Sequence, residues 1–172
     1  MKRIIVISGK QYSGKDTLAE ILLKKLPNFK RIGIGDAIKL EYSRQKSIPL
    51  EEIIKNKHLY RNDLIALGNR GRAQDSDYWL KVINNMDNII VPDIRVVHEA
   101  EFFLQKGAYL IRVNSDYKNR ASRGVITNND DITETALDNY NKWNIVIENN
   151  SDLEALTKRA DFVIGSFMKF IN

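Results

Sequence analysis

The sequence predicts an α/β protein in three layers, a five-stranded parallel sheet with helices on both faces. Two observations carry this reading. Five short apolar runs are spread along the chain, and most are continuously apolar, as strands covered on both sides are. Between most of them the apolar residues recur at helical spacing, an alternation that builds a parallel sheet sandwiched by helices. The run "IIVIS" (4–8) gives the first strand, and Leu18, Ile21, Leu22 and Leu26 then share one helical face. "RIGIG" (31–35) gives the second strand. Residues 36–86 have helical periodicity alone and read as an insertion before the third strand, "NIIVP" (88–92). Val96, Ala100, Phe103 and Leu104 line up before the fourth, "AYLIRV" (108–113). "TNNDD" (127–131) reads as a mobile loop, and "NIVIE" (144–148) as the fifth strand. Leu153, Leu156, Ala160, Val163, Ile164 and Phe167 trace a long closing helix, with Ser151 or Asp152 available as its N-cap.

Composition narrows the function. The 172 residues are 43% hydrophobic and 28% charged, as in an ordinary globular domain. No apolar run reaches the ~20 residues needed to cross a bilayer, and "MKRIIVIS" is too short for a signal peptide, so no membrane partner is expected. The absence of cysteine excludes disulfides, thiolate metal sites and Cys nucleophiles, and fits a cytoplasmic protein. A formal charge of +5 favours an anionic partner. Nucleic acid is one candidate, but the basic residues are scattered and form no run; a small phosphorylated substrate suits them equally well, and no nucleic-acid partner is expected.

The chemistry begins at "GKQYSGKDT", where Gly9, Gly14 and Lys15 satisfy G-x-x-x-x-G-K between a strand and a helix. Two glycines let the backbone curl so that successive N–H groups face a phosphate. The helix N-terminus adds its positive dipole end, and the lysine reaches the β/γ oxygens. Asp16 stands where Ser or Thr would hold magnesium, and the hydroxyl comes one residue later at Thr17. Asp16 has three open roles: holding magnesium through a water, accepting a proton from an incoming hydroxyl, or stabilising the helix start.

A second constellation is "IIVPDIR", with Asp93 at the tip of a buried strand and Arg95 two residues on. Asp93 there either holds the magnesium or its waters, or caps the next helix. Arginines are the third feature: Arg61, Arg70 and Arg72 around "LGNRGR", then Arg112, Arg120 and Arg123. Arginine grips phosphate with a planar fork. Arg120 and Arg123 are three apart, so a helix turns both to one side, as a lid over a phosphate chain would need or as a solvated basic face would show.

With these residues in hand the chain resembles a family. "SGKQYSGKDT" resembles the "SGKxxSGKD" opening of phage-type deoxynucleoside monophosphate kinases and animal-type phosphomevalonate kinases, P-loop kinases of the nucleoside monophosphate kinase superfamily. "IGDAIKLEY", "YRNDLIALGNRGRAQDSDYW", "VPDIRVVHEAEFF" and "ITETALDNYNKWNIVIENNSDLEAL" are similar to later segments of both groups. The resemblance implies a three-layer α/β/α P-loop kinase fold with a five-stranded parallel sheet, as one domain over residues 1–172. Residues 36–86 would be a helical acceptor-binding insertion and 114–132 a lid. The implied activity is transfer of a phosphoryl group from ATP, with Mg2+, to a monophosphate acceptor, by a monomer or homodimer.

It also implies roles. Gly9, Ser13, Gly14, Lys15, Asp16, Thr17, Arg120, Asn149 and Asn150 would bind ATP. Lys15, Asp16, Asp93, Arg95 and Arg123 would serve the transfer, with Asp16, Thr17 and Asp93 toward the metal. Asp36, Lys39, Arg61, Arg70, Arg72, Arg95 and Arg112 would face the acceptor. The two subfamilies differ in what that acceptor needs. A nucleotide wants a slot for its base, for which Tyr42, Tyr60, Tyr78 and Trp79 are available, though each can equally be a packing residue. Phosphomevalonate needs an extra cation for its carboxylate. The sequence leans to a (deoxy)nucleoside monophosphate, with phosphomevalonate as the alternative. A P-loop ATPase or switch without an acceptor is the more distant reading, and "N-K-x-D", the GTPase base motif, is missing.

Overall fold

The computed structural model describes residues 3–127 and 129–172, so Asn128 of the loop expected at 127–131 lies outside them. The elements run β1 (Ile4–Ser8), α1 (Lys15–Lys25), β2 (Lys30–Arg31), α2 (Ile34–Lys46), α3 (Leu50–Lys55), α4 (Lys57–Gln74), α5 (Tyr78–Asn84), β3 (Ile89–Val91), α6 (Val97–Gln105), β4 (Tyr109–Asn114), α7 (Tyr117–Arg123), α8 (Ile132–Thr135), β5 (Ile145–Glu148) and α9 (Leu153–Ile171). They form two compact units, one holding the sheet and the other the helical stretch Ile32–Met86.

The sheet is wholly parallel, in the order β2-β3-β1-β4-β5. The β1-to-β2 and β3-to-β4 connections cross the sheet in opposite senses, so right-handed crossovers send α1 and α6 to opposite faces and make three layers. On one face α1 and α9 bury Leu18, Leu22, Leu156, Val163 and Phe167 against Ile5, Ile7, Tyr109 and Ile111. Phe167 meets the rings of Phe29 and Tyr109 edge-on, at 5.9 and 5.6 Å. Burying such a ring contributes about 1.5–3 kcal/mol. Asp152 is the N-cap of α9 and accepts from the Ala155 amide at 2.9 Å. Among the described residues no helix is long and apolar enough to cross a membrane.

The second strand departs from expectation. It is only Lys30–Arg31, and Ile34 already belongs to α2. Asp36 reaches back to accept from the Gly33 amide at 3.0 Å, a capping contact that draws "IGD" into the helix. The apolar pattern of "RIGIG" therefore describes a strand end followed by a helix start.

In the helical unit, α2 packs with α3, α4 and α5. Ile53 and Ile83 are fully buried, and Trp79 donates its indole N–H to the Gly68 carbonyl at 3.0 Å. Tyr42 donates to Asp63 at 2.7 Å and packs against Tyr60, while Tyr78 stacks edge-on against Trp79.

Candidate active site

Loop 9–14 joins the C-terminal end of β1 to the N-terminus of α1, in the middle of the sheet. Gly14 has φ +98°, and a Cβ there would stand 2.2 Å from the Asn149 amide nitrogen. Both facts demand glycine. Gly9 lies close to Ser13 and to the Val113 carbonyl. Lys15 is buried, with its ammonium 3.2 Å from Asp16 Oδ2, and Asp16 Oδ1 meets Arg31 at 3.0 Å. A cavity of about 390 Å³ opens here, lined by Gly14, Lys15, Asp16, Thr17 and Arg123 among others. The Ser13 hydroxyl is buried and has no hydrogen-bond partner among the described residues. Its proton and the cavity's amides are the kind of donors a phosphate chain takes up.

The loop is held by its carbonyls. Arg120 donates to Gln11 O at 3.3 Å. Arg123 donates to Tyr12 O at 3.2 Å and to Asn149 O at 2.8 Å. The Asn149 side chain donates to Ser13 O at 2.8 Å. These bonds, with those of the Gln11 amide to Glu134 and of the Ser13 amide to Lys10 O, fix the curl of the loop. The helical spacing of Arg120 and Arg123 thus brings both to the loop, as part of α7. Asn149 also lines a cavity of about 140 Å³ beside Gly14, Thr17 and Arg123. Asn150 does not join it: its side chain accepts from the Asp116 amide and Ser115, and so fixes the start of α7.

Asp93 and Arg95 follow β3, next to Ile94, whose carbonyl accepts from the Ser8 hydroxyl. Arg112 lies in β4 opposite Ser8 and donates to it at 3.1 Å. Its second terminal nitrogen meets Asp138. Burial pulls its guanidinium below the usual range, and Asp138 and Glu134 oppose that shift.

Two residues that hold the loop escaped sequence reasoning. Glu134 accepts from the Gln11 amide at 2.8 Å and pairs with Arg95 at 2.7 Å. Asp138 pairs with Lys10 at 2.6 Å. Their signal was present as the acidic pair of "ITETALD", four residues apart.

In the helical unit, a cavity of about 320 Å³ lies on α2 and α4. Lys39, Lys57, Arg61 and Arg72 line it, with Ile38, Leu64 and Ile65 as apolar wall. Lys39 pairs with Asp36 at 2.6 Å. Arg61 and Arg72 are eleven residues apart, three helical turns, so they share a face. Arg70 falls on the other side, in a smaller cavity with Tyr42 and Asp63.

A curled loop with its lysine at the centre of a parallel sheet defines the class: a P-loop protein built to bind a phosphate chain. Comparison with known proteins narrows this. The family model described as "Phosphomevalonate kinase" matches residues 7–109, and that described as "Deoxynucleotide monophosphate kinase" matches residues 72–160. The chain belongs to the P-loop phosphotransferases that these two families describe. It is similar to a Drosophila melanogaster phosphomevalonate kinase, at 28% identity over 90% of this chain and 92% of the other. Among solved structures, shikimate kinase from Aquifex aeolicus vf5 superposes with a TM-score of 0.54 at 16% identity, covering 95% of this chain and 96% of that one. Shikimate kinase from Acinetobacter baumannii, in complex with shikimate, gives 0.56 at 14% identity, covering 98% and 94%. At such identities these structures establish the fold alone.

Proposed function

We propose that this kinase transfers the γ-phosphoryl group of Mg-ATP to phosphomevalonate. The observation that carries this is the lining of the α2–α4 cavity, in which four cationic side chains surround a short aliphatic wall. A small molecule with a phosphate at one end and a carboxylate at the other suits that lining. A nucleobase wants a flat partner, and none of the four aromatics considered for that slot lines the cavity. Trp79 and Tyr42 are buried with their polar atoms bonded inside the unit.

On the donor side, Lys15 and the loop amides hold the β- and γ-phosphates, and the small cavity at Asn149 takes the adenine end. Asp16 and Thr17 bring a carboxylate and a hydroxyl to the loop cavity, the hard oxygens that magnesium prefers. Asp16, Thr17 and Asp93 are the residues that would hold it, and it would supply charge neutralisation on the phosphate oxygens. The acceptor phosphate oxygen forms a bond to Pγ as the Pγ–O bond to ADP breaks. Positioning and charge dominate such a transfer, and Arg95, Arg120 and Arg123 would supply the cations for it. A cytoplasmic setting belongs to the same proposal.

A deoxynucleoside monophosphate is the second reading, favoured by the family match over residues 72–160. A panel of phosphomevalonate, dNMPs and NMPs in a coupled ADP-release assay separates the two. Phosphomevalonate is expected to exceed every nucleotide in kcat/KM by more than about 100-fold, since a site built for one set of polar groups rejects analogues lacking them. A nucleotide ahead of phosphomevalonate would reverse the assignment, and ADP release indifferent to any acceptor would remove it.

A further inference from the structure

Two carboxylates in the segment between α7 and β5 are arranged alike. Glu134 takes the Gln11 amide with one oxygen and Arg95 Nη1 with the other, at 2.8 and 2.7 Å. Asp138 takes Lys10 Nζ with one oxygen and Arg112 Nη2 with the other, at 2.6 and 3.2 Å. Each acid therefore links a residue at the start of the phosphate loop to an arginine from a strand, or strand end, beside β1.

Of the two, Glu134 is the less expected. Its side chain is 2% exposed, whereas that of its partner Arg95 is 40% exposed. A buried carboxylate carries a desolvation cost, and its charge also opposes anions approaching the loop. An apolar residue would fill the space without either penalty. What an apolar residue could not do is grip one nitrogen of a guanidinium and a loop amide together. A guanidinium held at one nitrogen has a narrower range of orientations, and its exposed part is aimed by the grip.

We propose that Glu134 is a positioning residue for the transfer: it orients Arg95 toward the phosphoryl group and locks that arginine to the loop holding the donor. The proposal rests on the role given to Arg95 above. Held only by solvent, the arginine would lose that orientation, and misplacement by about 1 Å can cost on the order of 100-fold in rate.

The test compares Glu134→Gln, Arg95→Ala and the double variant, in ADP release with the acceptor that supports wild-type turnover. Mg-AMP-PNP binding by calorimetry and melting temperature are measured alongside. Glu134→Gln is expected to lose about tenfold to 100-fold in kcat while analogue affinity stays within about threefold. In the Arg95→Ala background the same change should cost less than about twofold, because the group it acts through is gone. A Glu134→Gln kcat within about twofold of wild type, or the full loss repeated in the Arg95→Ala background, overturns the proposal. Should Glu134→Gln not fold, Arg95→Lys carries the test. It keeps the charge and removes the fork, and is expected to lose about tenfold or more in kcat with unchanged melting; near-wild-type turnover would overturn the proposal. An inactive Arg95→Ala beside a fully active Glu134→Gln defeats only this inference. A fully active Arg95→Ala defeats the assigned role of Arg95 as well.

Discussion

Arg123 shows how a residue's partners decide what its loss should do. Read from sequence, it is a lid arginine facing the phosphate chain. In the structure its guanidinium already donates to Tyr12 O, Asn149 O and the Ser115 hydroxyl. Arg123→Ala should therefore lower the melting temperature of the ligand-free protein as well as slow transfer. These bonds are largely solvent-exposed, so the stability loss is expected to be about 1 kcal/mol, or about 2–4 °C for a chain of this size. Unchanged melting by calorimetry would mean that the loop holds its shape without it. At this scale legibility follows encoding. Gly14 and Lys15 could be placed from sequence because the conformation and charge a phosphate loop needs are fixed at set offsets. Glu134 could not, because a buried acid is recognised only by its partners, and Gln11 and Arg95 are far from it in the chain.

Elements were legible where their pattern was long. The apolar stripe of α9 and the buried runs of β1, β3 and β4 stand close to where periodicity puts them. The two-residue β2 did not announce itself, since Gly33 and Asp36 end the strand pattern with a helix cap that hydrophobicity alone does not reveal. The helical unit offers a test of packing against propensity. Gly71 sits inside α4, where alanine would gain about 1 kcal/mol of intrinsic helix preference. A Cβ there would stand 2.7 Å from Trp79 Nε1 and 2.9 Å from its Cε2. Trp79 would have to move off the Gly68 carbonyl, so Gly71→Ala is expected to destabilise by about 1–3 kcal/mol net. Urea unfolding followed by tryptophan fluorescence reads this directly, and a stabilised variant would show that the indole has room to shift.

Across the whole molecule, one sheet carries the phosphate loop and one helical unit carries a cationic, aliphatic cavity. The parallel sheet places the ends of β1, β3 and β4 side by side, which is why Ser8, Ile94 and Arg112 interlock beneath the loop. The fold class and the loop were available from sequence, because alternation and motif are local. The acceptor was not, because the choice between a base slot and a second anion site depends on which side chains of α2 and α4 face one cavity. Arg61 and Arg72 share the face that lines that cavity, with Arg70 turned away, and this supports the proposed second anion site.

The claim beneath all of this is that the loop after β1 grips the tail of a triphosphate through Lys15. Acceptor-dependent ADP release by Lys15→Ala, measured beside its melting temperature, tests it most directly. Unchanged melting is expected with turnover down by about 100-fold or more, the scale lost when a preorganised charge is removed from a transition state. Near-full turnover in a folded Lys15→Ala protein would contradict it.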